Sequence, residues 1–202
     1  MFGIFKSTKP VREIYFHEDD YCQQQFLPAA ASEAAVAELA AIDQFSDAHR
    51  APGGVGWTDI CVRTGETVGF GTLGVHRDSF DARLVARMPR YDRVFTGYSS
   101  HRETCQRTGA WGAGERTSIF ADWDDAGIVQ NVWAEFFDSS EDALHSAAWA
   151  AASIAPEHHL VYVDWAWDYT CQAVDTSTFY DRLVAKLRDI DERTQQYMKS
   201  QK

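Results

Sequence analysis

This chain has little of what usually announces chemistry. Its four cysteines, Cys22, Cys61, Cys105 and Cys171, stand far apart with no C-x-x-C pair. That argues against a zinc ribbon or a dithiol redox motif and reads as buried free thiols in a reducing compartment. There is no H-E-x-x-H, no nucleophile elbow and no Ser/His/Asp order. The loop Gly53-Gly54-Val55-Gly56 lacks the Gly-Lys-Ser/Thr ending of a phosphate loop, and it follows a helix where such a loop needs a strand. No run approaches the roughly 18 apolar residues of a membrane helix. The opening Met1-Phe2-Gly3-Ile4-Phe5-Lys6 is too short, and lacks the small-residue cleavage site, for a secretory signal. Positive charge is also scarce, 19 Lys and Arg against 30 Asp and Glu, for a net charge of -11. Such a surface repels phosphate backbones and anionic lipid, which disfavours nucleic acid and membrane as partners. It suits a basic partner, a cation or simple solubility, and cytoplasmic residence is expected.

What is present is a well-supplied core. Hydrophobic residues make up 45% and aromatics 13% of 202 residues, enough for one domain over 1–202 with a lead-in at 1–12 and a short tail at 199–202. Strands are expected at 13–17, 21–27, 57–63, around Val68 and Phe70, at 91–98, 117–123, 128–137 and 160–163. Asp124-Asp125-Ala126-Gly127 reads as a hairpin turn. Helices are expected from Ser32 to about His49, over 79–88 with Asp78 as cap, from Ser139 to about Ala155, and from Thr176 to about Met198. In the last, Phe179, Leu183, Leu187 and Ile190 form the apolar stripe, and Arg182, Lys186, Arg188, Asp189, Glu192 and Arg193 read as its solvated face. The stretch 99–115, polar around a lone Trp111, reads as an exposed loop, with a strand at its centre as the alternative. Hairpins joined by helices give an α+β fold, a largely antiparallel sheet with helices on one face, and the recurring hairpin–helix–strand pattern suggests two similar halves.

Two stretches stand out. Leu160-Val161-Tyr162-Val163 runs into Asp164, Trp165, Ala166, Trp167, Asp168, Tyr169 and Cys171; Ile14-Tyr15-Phe16 runs into His17, Glu18, Asp19, Asp20, Tyr21 and Cys22. If both strands share one sheet, their acidic ends line one rim. Strand alternation would put His17 and Asp19 on one side and Trp165 and Trp167 on one face. Acids beside Trp and Tyr suit a protein interface, so His17, Glu18, Asp19, Asp20, Asp164, Trp165, Trp167 and Asp168 are the candidate partner-binding residues. The alternative is a metal- or carboxylate-assisted hydrolase using His17, Asp19 and Asp164. His158-His159 in a helix-to-strand loop reads as facing water, Cys105 near His101 is weak as a Cys/His pair, and His76 and His145 stand alone. No resident metal or cofactor is implied.

The run Tyr15-Phe16-His17-Glu18-Asp19-Asp20-Tyr21-Cys22-Gln23, with Leu27-Pro28, resembles the start of small bacterial immunity proteins of polymorphic or type VI secreted toxins, and Tyr162-Val163-Asp164-Trp165 has the same flavour. The resemblance covers about twenty residues. It implies a cytoplasmic acidic α+β domain that binds and blocks a cognate toxin, basic at its contact surface, with no reaction of its own.

Overall fold

The computed structural model describes residues 10–52, 56–63, 68–98, 100–114, 116–173 and 175–200. The first nine residues of the lead-in, the loop residues 53–55, part of the strand expected before Val68 and the last two residues of the tail lie outside them.

The chain is a mixed α+β protein. Its strands are β1 (Glu13–Tyr15), β2 (Gln24–Pro28), β3 (Arg93–Thr96), β4 (Glu103–Thr104), β5 (Thr108–Gly114), β6 (Thr117–Trp123), β7 (Val129–Phe136), β8 (Leu160–Asp164) and β9 (Tyr169–Gln172). Its helices are α1 (Ser32–Ala48), α2 (Arg77–Leu84), α3 (Glu141–Ser153) and α4 (Thr176–Ser200). Six strands form an antiparallel sheet in the order β5-β6-β7-β2-β8-β9, and β1-β3-β4 form a second, small sheet in which β1 runs parallel to β3.

Period-two alternation decides which side chain faces which layer. On the first face, Phe26, Trp111, Ile119, Ala121, Val132, Ala134, Phe136, Leu160 and Tyr162 meet Phe80 and Leu84 of α2, the alanines of α3, and Phe179 and Leu183 of α4. On the second face the cover is divided. Ile14, Phe16 and Val94 of the small sheet sit on Ala110, Phe120 and Trp133. Ala35 and Leu39 of α1 sit on Leu27, Val161, Val163 and Trp165. Three helices therefore share the expected helical face, and α1 occupies the other. The sheet's two ends are not copies of each other: one is a β5-β6-β7 meander, the other joins the N-terminal β2 to the β8-β9 hairpin.

Several elements differ from expectation for identifiable reasons. Residues 57–63 alternate like a strand but, among the described residues, pair with none beyond an isolated bridge between Arg50 and Trp57, and all but the half-buried Cys61 and Arg63 are exposed. Around Phe70 a 3-10 turn, Phe70–Leu73, replaces the strand. Within 99–115 the alternative of a strand holds, residues 108–114 forming β5, but Trp111 is buried instead of exposed, its indole N–H donating to Asp81 at 2.8 Å. Helix α2 starts earlier than expected because His76, not Asp78, caps it, accepting the Asp78 N–H on Nδ1 at 3.3 Å. Helix α1 follows directly on a 3-10 turn, Ala29–Ala31, so Ser32 is already helical and does not cap. Of the thiols only Cys22 is fully buried, and all four are free.

Candidate functional site

The first acidic stretch forms a turn, not the end of a strand. Beyond β1, His17 caps the 3-10 turn Glu18–Asp20, its Nδ1 accepting the Asp19 N–H at 3.2 Å and lying 3.4 Å from the Asp19 carboxylate. His17 and Asp19 thus do approach each other, through local capping instead of strand alternation. Glu18 and Asp19 are exposed, His17 and Asp20 half-buried. Tyr21 fixes the turn on the main sheet. Its ring lies 4.8 Å from that of Trp133, and its hydroxyl donates to Asp122 at 2.7 Å while accepting from Asn131 at 3.0 Å. Cys22 follows in left-handed backbone, φ +55°, and burial pushes its thiol up to about 12, which leaves it unreactive.

The second acidic stretch divides. Asp164 is fully buried on the first face, its Oδ2 paired with Lys186 of α4 and its Oδ1 accepting the N–H groups of Ala166 at 3.1 Å and Trp167 at 3.2 Å. Lys186 also donates to the Tyr162 hydroxyl at 2.9 Å, and that hydroxyl donates to Gln24 Oε1 at 3.0 Å. Asp164 therefore cannot touch a partner from a rim, and Lys186 belongs to the core instead of the solvated face of α4. Trp165 and Trp167 do not share a face either. Asp164 closes a tight turn in which Asp168 takes φ +47°, so Trp165 is buried on the second face while Trp167 and Asp168 are exposed.

The two stretches nevertheless meet at one sheet end. The strand beside β8 is β2, not β1, with Gln24 opposite Asp164, and one step further the Trp165 N–H donates to the Gln23 carbonyl at 2.9 Å. On the other side of β2, Gln25 lies opposite Trp133, so the same register brings Gln23 level with Glu135. Ser118 of β6 stands opposite Glu135. Ser118, Glu135, Gln23 and Trp165 therefore form a row across the second face, and at about 4.8 Å per strand Glu135 and Trp165 lie about 10 Å apart. Arg63 crosses this end, its guanidinium 4.3 Å from the centre of the Trp165 ring and 3.4 Å from the Cys22 carbonyl, and it faces Glu38.

Beside Trp165 opens a groove of ≈ 660 Å³ between α1 and the strandless segment, lined by Ile42, Phe45, Trp57, Ile60, Trp165 and Ala166 among others. Along its lip and just beyond it, Trp57 is 61% exposed, Ile60 82% and Val62 73%. Together these large apolar side chains form an exposed apolar patch beside the groove. The alternation of residues 57–63 is visible in the sequence; that no strand among the described residues pairs with it is not.

Glu135 is the other residue that the sequence pattern does not single out. It is 7% exposed, with no hydrogen bond or ion pair to any described residue. Burial, and after it the Asp20 carboxylate, push its carboxyl up to about 8. The signal that could have found it is an acid on the Trp face of β7: Asn131, Trp133 and Glu135 alternate with Val132, Ala134 and Phe136.

The hydrolase set does not assemble. Asp164 is sealed under α4 with Lys186, and no group of three His, Cys, Asp or Glu among the described residues converges where a metal could sit. The remaining histidines have local roles or face solvent: His101 meets Glu103 at 3.0 Å, His145 stacks on Tyr180, His158 is half-buried and His159 exposed. Among the described residues no helix is long and apolar enough to cross a membrane. Comparison with protein-family models, with curated proteins and with solved structures finds no match to the chain.

Proposed function

We propose that this chain is an immunity-type binding protein that captures and neutralises a cognate bacterial toxin, and that it acts in the cytoplasm. The observation that carries the reading is the exposed apolar lip Trp57, Ile60 and Val62 beside the groove floored by Ile42, Phe45 and Trp165. An apolar centre edged by charge is how protein interfaces are built. The edge here is acidic: the turn from His17 to Asp20 lies on one side, and Trp167 and Asp168 stand at the tip of the β8-β9 hairpin. With a net charge of -11, the surface attracts a basic protein and speeds its encounter. The resemblance of Tyr15 to Gln23 to immunity proteins supplies the class of partner.

The rim differs from the one expected from sequence. Trp165 contributes as groove wall, Asp164 holds the hairpin from inside, and Trp57 and Ile60 supply the apolar contact. The experiment is neutralisation. A toxin candidate that stops growth when expressed alone in a bacterium is co-expressed with this chain, wild type or Ile60→Asp. Growth restored by the wild type and not by the variant is the expected result. Equal protection by both excludes the groove as the contact, and no protection against any bound partner removes the immunity reading.

A further inference from the structure

We infer that Glu135, beneath Asp20 at the sheet end, is a socket for one cationic side chain of the bound partner, an arginine or lysine. This rests on the reading of the chain as a protein binder and names what that partner must carry. Three observations lead to it. Glu135 is more than nine-tenths buried and has no hydrogen-bond donor or cation among the described residues. A carboxyl held largely out of water without a protein donor is costly, so a ligand cation would satisfy it well. The charged neighbour acting on it is a second carboxylate, Asp20, which adds repulsion that an incoming cation would turn into attraction. Among the described residues the cation at this end, Arg63, is committed elsewhere, stacked on Trp165, bonded to the Cys22 carbonyl and facing Glu38.

The place is also right. Glu135 is on the same face and at the same sheet end as Trp165, about 10 Å across two strands, so a partner seated in the groove can reach it with one long side chain. Exposed Glu18 and Asp19, beside Asp20 on the same turn, draw cations toward this end of the sheet. A planar guanidinium fits a pair of carboxylates better than a point charge does, which favours arginine.

Proton linkage follows. Near neutral pH the Glu135 carboxyl is largely protonated, and a bound cation favours its carboxylate. Binding therefore releases a proton, and affinity rises with pH, by up to tenfold per unit, until about pH 8, where the free carboxyl is ionised and the rise levels off.

The test needs no partner. L-argininamide, and citrullinamide with a neutral urea in place of the guanidinium, are titrated into protein carrying ¹³C-carboxyl Glu and Asp, followed by NMR at pH 7. Argininamide is expected to bind saturably at millimolar concentration and move the Glu135 carboxyl signal to its ionised position. Citrullinamide is expected to do neither, and Glu135→Gln to lose the response. A Glu135 signal that moves equally with both probes, or not at all, overturns the socket. Because the two probes are compared on the wild type, the outcome does not depend on how the variant folds. The two readings can fail separately. If argininamide binds while no toxin is neutralised, the socket stands and the immunity reading falls; if a toxin is held through Ile60 but argininamide leaves Glu135 unmoved, the socket falls alone.

Discussion

Asp164 commits both carboxylate oxygens inside the protein, one to Lys186 and one to the backbone of the β8-β9 turn. Removing the cation alone leaves a buried charge without a partner, which costs far more than the pair contributes. Lys186→Met should therefore lower stability by about 3–5 kcal/mol in urea denaturation. Tyr162→Phe, which removes only the hydroxyl between Lys186 and Gln24, should cost about 1 kcal/mol. A Lys186→Met protein as stable as wild type would mean the pair is solvated. Glu135 behaves in the opposite sense. Its carboxyl holds a proton in the folded chain up to about pH 8 that the unfolded chain loses near 4.5, so the folded state binds more protons in that window. Stability should fall as pH rises from about 4.5 to 8, and Glu135→Gln should flatten that slope, as read from midpoints of unfolding across the range. At this scale the sequence was least legible. Lys186 falls next to Leu187 on the turn of α4 that faces the sheet, and only the acid waiting at Asp164 explains its burial, a contact between positions 22 apart in the chain.

At the scale of elements, the β6-β7 hairpin was the most legible because its instructions are local. Asp124 Oδ1 accepts the N–H groups of Ala126 and Ile128, each at 2.9 Å, and Gly127 takes φ +80° with His76 against it. Asp124→Ala should cost about 2 kcal/mol for two backbone donors left without their acceptor, and Gly127→Ala about 1–2 kcal/mol for a side chain forced into left-handed backbone, both measurable by thermal unfolding. Strands β6, β7 and β8 and helices α3 and α4 were readable for the same reason, since alternation, caps and Pro156 mark them within their own residues. Strand β5 was legible only as an alternative within a polar loop, and the segment 57–63 was misread. Residues 108–114 carry three glycines and a single Trp, so their pairing with β6 is dictated by the neighbour, not by their own propensity. Residues 57–63 carry strand propensity, but no strand among the described residues reaches them.

For the whole molecule, the sheet's second face is unevenly covered, by the small sheet over β5 to β7 and by α1 over β2 and β8. The candidate site stands at one end of the β2-β8 part, where the turn at Glu18, the groove and Glu135 come to one side. The sequence pointed to this end through two acid-and-aromatic stretches, yet it could not say that Asp164 turns inward or that Trp57 and Ile60 turn outward, because layer assignment depends on which strand pairs with which. Charge of this sign over the whole surface should make association with a basic partner slow as salt is added, while dissociation, governed by the apolar contact, changes little. Stopped-flow association from about 50 to 500 mM salt reads this directly. The most direct test is the dissociation constant of a purified, neutralised toxin for the wild type and for Trp57→Ala/Ile60→Asp, by calorimetry, with unfolding midpoints checked alongside. A groove that carries the interface predicts a loss of at least about 100-fold, near 2.7 kcal/mol, with the midpoint unchanged. An undiminished affinity would contradict it and move the interface away from the groove.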